Sequence, residues 1–199
     1  MNGKNTAHPN AKNVILLGRS VIILIIKVKE EDFVSNCSSL SQRCFEPLIT
    51  IYKRRMSEET NIDVKERFYE ELTEGQRAIF MFYVYYSHIS ESLIEFYWWS
   101  AYFMAQSKKW AALKTCFKYF HDEPFLLLLE KIEQELKHYN HPTTLENFSI
   151  TRDELIQNKE LHASFESLYV IFENIYPATM EKINNFIEKN LQEFIQIDN

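Results

Sequence analysis

Three groups of residues in this 199-residue chain have types and spacings that could do chemistry. The first is Glu135-x-x-His138-x-x-His141, in which a carboxylate and an imidazole three residues apart share a helical face, as in di-iron bundle sites. Such a site needs two Glu-x-x-His pairs and two further glutamates, and the chain supplies one pair. Pro142 also places His141 beyond the helix end, so a polar surface terminus without metal is expected. The second group is His88-x-x-Glu91 with Glu95, also on one helical face and set among aromatic residues. It could form a small-molecule pocket or a proton-transfer pair with displaced pKa values. Against that, Ser87–Ser92 reads as a polar hinge open to water, and nothing nearby supplies a nucleophile or an oxyanion stabiliser. No Gly-x-Ser-x-Gly elbow, phosphate-binding glycine loop or His-Glu-x-x-His occurs, so no catalytic residue and no cofactor is assigned.

The third group is aromatic. Eleven of the 24 residues from Phe80 to Phe103 are Phe, Tyr or Trp. Stacking nucleobases on them would need interleaved basic residues, and none lies between Arg77 and Lys108. A buried core, with part of the segment available as an interface, is the expectation.

The elements that must position these residues are helical. Three glycines and five prolines are too few for the many tight turns of a sandwich or barrel. From residue 40 onward the apolar spacing is helical: Leu40, Cys44, Leu48 and Ile51 form one stripe, with Pro47 in a first turn or at a kink. A short helix is expected over Val64 to Leu72. Thr73-Glu74-Gly75-Gln76 is a capping-box signal opening an apolar helix that runs to the hinge. Ser107 is expected to cap the next helix, and Asp122 with Pro124 to open the one after it. That helix carries the cleanest stripe: Phe125, Leu128, Leu129, Ile132 and Leu136. Thr151-Arg152-Asp153-Glu154 is a second capping box, opening a helix expected to reach towards Tyr176 with Phe165, Leu168, Tyr169 and Phe172 inward. Pro177 is expected to start a last helix burying Met180, Ile183, Ile187, Leu191 and Phe194. Short loops between amphipathic helices predict an all-α, antiparallel bundle-like single domain over residues 40–199.

The N-terminal part reads differently. Residues 1–12 are expected to be disordered, and residues 13–39 form an apolar segment. Gly18-Arg19-Ser20 divides Val14–Leu17 from Val21–Ile26, leaving neither piece near the ~20 residues a membrane span needs. The β-branched run Val21–Ile26 predicts a short buried strand or an apolar helix start. Cys37, Cys44 and Cys116 are odd in number and lack a Cys-x-x-Cys, which predicts reduced thiols in a cytoplasmic protein.

The net charge of −6 is uneven: residues 1–121 carry +3 and residues 122–199 carry −9. An acidic C-terminal part disfavours contact with nucleic-acid phosphates and suits a basic protein partner. Leu72-Thr73-x-Gly75-Gln76-Arg77-Ala78, the aromatic helix and then Glu95-Phe96-Tyr97 resemble the DNA-mimic-protein family of small helical bacterial proteins. Trp110-Ala111-Ala112-Leu113 and the stretch from Phe165 to Phe194 are similar as well, so the resemblance covers roughly residues 40–195. Where that family's signature has paired glycines this chain has Glu91-Ser92, so its turn must be built differently. The resemblance implies a helical fold and an acidic face presented in place of DNA phosphates. The expectation is a non-enzymatic protein-protein interaction module with neither membrane nor direct nucleic-acid contact, self-associating as a homodimer. Its acidic positions would be Glu130, Glu133, Glu166, Glu173, Glu181 and Glu188.

Overall fold

The computed structural model describes residues 23–35, 38–59 and 63–198. The expectations for residues 1–12, for Val14–Ile22 and for Cys37 lie outside them. The chain is all-α, with one minor strand pair among the described residues, and these group into two compact units: those up to Arg77 with those from Phe186 onward, and residues 78–185.

In the first unit, Ile23–Ile26 is neither strand nor helix, and Leu24 and Ile26 are buried. The expected strand or helix start is thus absent from Ile23–Ile26; β1 (Lys27–Lys29) lies just beyond that run and is followed by α1 (Glu30–Ser35). The place of β1 follows from the available partner. β2 (Gln196–Asp198) pairs in parallel with β1, Lys27 opposite Gln196, and Lys27 Nζ meets Asp198 at 2.7 Å. α2 (Leu40–Glu58) buries Cys44, Leu48 and Ile51, as its stripe predicts, and continues through Pro47. α3 (Val64–Glu70) stops two residues short of Leu72. α4 (Glu74–Ile89) opens on the predicted capping box: Gln76 N donates to Thr73 Oγ1 at 3.1 Å and Thr73 N to Gln76 Oε1 at 3.0 Å. The same side chains tie the two ends of the chain together. Gln76 Nε2 donates to the Leu24 and Phe194 carbonyls, and Thr73 Oγ1 donates to the Glu193 carbonyl. A buried amide satisfied on every side is worth far more than one left half-paired.

In the second unit, α4 runs on to Ile89, three residues into the expected hinge, because Ile89 is fully buried on its apolar stripe. Only Ser90, Glu91 and Ser92 break the helix, and Ser92 Oγ accepts from Glu95 N to cap α5 (Leu93–Met104). α6 (Ser107–Tyr119) starts at Ser107 itself, with Gln106 before it and no side-chain cap. Asp122 caps α7 (Glu123–His138), whose five-residue stripe is wholly buried. α8 (Arg152–Gln157) carries the second predicted capping box but ends after six residues. There Asn158 Oδ1 accepts from the amides of Glu160 and Leu161 and opens α9 (Lys159–Lys189). α9 passes through Pro177, contrary to the expected start of a new helix there. Pro177 and Glu173, whose carbonyl loses its amide partner, are both exposed, so water can serve the orphaned acceptor.

The aromatic segment supplies much of this unit's core. Phe82, Tyr85, Phe96 and Tyr97 are fully buried, Phe117 stacks on Phe125 at 4.0 Å, and Tyr97 meets Phe165 edge-on at 4.9 Å. Such ring pairs add ~0.5–1.5 kcal/mol each beyond the area they bury. No helix among the described residues is long and apolar enough to cross a membrane.

Candidate functional site

Two clusters in the second unit contain the histidines that the sequence singles out, His141 and His88, and local chain geometry explains both. The first lies at the C-terminus of α7. Asn140 adopts φ 58°, the left-handed conformation that Asn tolerates, and the His141 amide turns back to the Leu136 carbonyl at 2.9 Å. With the Asn140 amide on the Lys137 carbonyl, this is a Schellman ending. The ending brings His141 inward, where it is 8% exposed. Its Nε2 lies 2.7 Å from the hydroxyl of the fully buried Tyr97 on α5. Its Nδ1 makes no hydrogen bond with any described residue.

The expected surface His141 is therefore a core residue. The motif that directs it inward, Asn140 and then Pro142 after a lysine-bearing last turn, is present in the sequence. Burial lowers the His141 pKa below its ordinary value, partly offset by the Glu154 carboxylate, and burial also raises the Tyr97 hydroxyl. Both groups are thus neutral near pH 7. Tyr97 has no surface through which to reach a substrate. Beside His141 lies an open, mainly polar cavity of about 660 Å3, bounded by residues 139–144, Asn147, Ser149, Ile150 and Glu154.

The second place is where α4 ends and α5 and α8 begin. His88 stacks on Trp99 with ring centroids 3.6 Å apart. Glu95 receives Arg152 through two bonds, at 2.5 Å from Nε and 2.6 Å from the second guanidinium nitrogen. The guanidinium also lies 4.3 Å from the Trp98 ring centre, and Trp98 Nε1 donates to the Ile150 carbonyl. The predicted trio of His88, Glu91 and Glu95 is thus brought near a cation that sequence spacing could not reveal, since Arg152 is 57 residues from Glu95. Hydrogen bonds from Arg152 hold the Glu95 carboxyl below the usual range, and burial against Trp99 lowers His88 despite Glu91 and Glu95. Glu91 is exposed. Of the family-motif positions, Glu95 thus belongs to this ion pair, while Phe96 and Tyr97 belong to the core.

The acidic positions divide as well. Glu130, Glu166, Glu173, Glu181 and Glu188 are exposed, Glu188 lying in the first unit. Glu133 is committed elsewhere. Trp110 Nε1 donates to it at 3.0 Å, Lys137 at 2.5 Å, and Lys114 contacts the same carboxylate. Burial alone would raise its pKa, but these three donors outweigh that and bring it down to about 2. Cys44 and Cys116 are buried free thiols, with Cys44 pushed up to about 12 by burial, which leaves neither reactive at neutral pH. Among the described residues no three His, Cys, Asp or Glu side chains gather as a metal site would require.

No known family model, curated protein or solved structure matches this chain. The functional reading rests on the geometry.

Proposed function

We propose that the chain is a non-catalytic, cytoplasmic protein-interaction module whose acidic C-terminal helices take a basic partner. The observation that carries this reading is the outer face of α9 in the second unit. Glu166, Glu173 and Glu181 are exposed there and form no ion pair with any described residue. At ~3.6 residues per turn they fall within an arc of roughly 80°, and a rise of ~1.5 Å per residue sets them roughly 10–12 Å apart. Val170, 50% exposed, lies between the first two and offers an apolar contact. Phosphates along one DNA strand advance by only about 3.4 Å each. The row therefore suits a basic helix bearing Lys or Arg about every two turns better than it suits a surface shaped for DNA. The chemistry of the candidate groups supports a non-catalytic role: Tyr97 and His141 are neutral, Glu95 is held by Arg152, and both described thiols are buried.

The test is fluorescence anisotropy of the full chain with a labelled amphipathic helical peptide carrying lysines at seven-residue steps. Saturable binding is expected, weaker as salt shortens the Debye length from ~10 Å towards ~3 Å. It should be weaker again in the triple variant E166Q/E173Q/E181Q. Absence of binding, or binding that the triple variant leaves unchanged, overturns the reading.

A further inference from the structure

The cavity beside His141 has a largely polar wall. Thr143, Thr144, Asn147 and Ser149 line it, are exposed, and form no side-chain hydrogen bond with any described residue. Tyr139 and Pro142 add apolar surface, and Glu154 supplies its single charge. Glu154 Oε1 is held in place by the Thr151 amide through the capping box, so the carboxylate is fixed before any ligand arrives. His141 forms part of the wall and is itself fixed by Tyr97 behind it.

The volume of about 660 Å3 is that of a small-molecule site. The charge of the wall excludes several ligand classes. No Lys or Arg lines the cavity, so a phosphate or carboxylate would meet only Glu154 and be repelled. A polycation would find one carboxylate and no second. What matches hydroxyl and amide groups that both donate and accept, beside one aligned carboxylate, is a ligand whose groups also do both. A sugar ring has that property along its edge, and its C–H faces suit the Tyr139 and Pro142 surfaces. We infer that this cavity is a binding site for a neutral sugar. The site is independent of the acidic face of α9.

The full chain is titrated with a panel of neutral mono- and oligosaccharides and, separately, with spermidine and with inorganic phosphate. Binding is read from the His141 ring signals by NMR and from heats of binding. At least one sugar is expected to shift the His141 signals saturably. Asn147→Ala and Thr143→Ala, both at exposed loop positions, should each weaken it roughly five- to tenfold, the loss of one hydrogen bond. Three results each overturn the assignment: no saturable response to any sugar, a response to spermidine or phosphate alone, or a sugar response that both variants leave intact.

Discussion

The cluster around Glu95 and the cluster around His141 are assembled from the same kinds of group: an imidazole, a carboxylate and aromatic rings. They differ in what surrounds them. Around Glu95, charges stay charged: Arg152 is 43% exposed, water screens the pair, and the carboxyl is held ionised by two hydrogen bonds. Around His141, burial removes the charge. The imidazole is kept neutral, and one bond to Tyr97 satisfies one of its two ring nitrogens. The comparison shows that solvent access, more than residue type, decides whether such a cluster is a surface fastening or part of a core.

The largest effect that would break this contrast lies on the buried side. Tyr97→Phe leaves Nε2 of His141 buried without a partner and should cost ~1–3 kcal/mol in urea unfolding, the penalty of an unmade buried hydrogen bond. A cost near zero would mean that the Tyr97–His141 bond contributes nothing. The next effect is on pH dependence. Because the folded-state pKa of His141 is depressed, the unfolded chain takes up the proton first as pH falls below 6.5. Stability contributed by the neutral ring is present above that pH and lost as pH falls through the folded value, at most ~1.4 kcal/mol per pH unit for one proton. Unfolding midpoints measured down to roughly pH 5 should fall, and His141→Asn should flatten the slope. His88 is depressed in the same direction, so His88→Asn should flatten part of the slope as well, and the double variant should flatten it further than either single one. The smallest effect is on the surface side. Glu95→Gln should cost under ~1 kcal/mol, and the loss should shrink further in high salt. A larger, salt-insensitive cost would place Glu95 in the same category as His141.

Much of the local architecture is legible in the amino-acid order. The stripe from Phe125 to Leu136, the Thr73–Gln76 and Thr151–Glu154 capping boxes and the Asp122 cap all stand where short-range rules put them. Each depends on neighbours three or four residues away, which the chain itself specifies. Helix boundaries were less legible where burial or exposure overrode a local signal. Ile89 extends α4 into a serine-rich stretch because its side chain is buried, and Pro177 is carried within α9 because it faces water.

Pairings across long separations were decided by the tertiary structure alone. Arg152 reaches Glu95 across 57 positions, Tyr97 reaches His141 across 44, and β2 supplies β1 with a partner from the far end of the chain. Sequence determined that this protein is helical, with an aromatic core and an acidic C-terminal part, because composition and periodicity act over single turns. Which histidine is buried and which carboxylate is neutralised depended on groups distant in sequence, because desolvation and hydrogen bonding act through space.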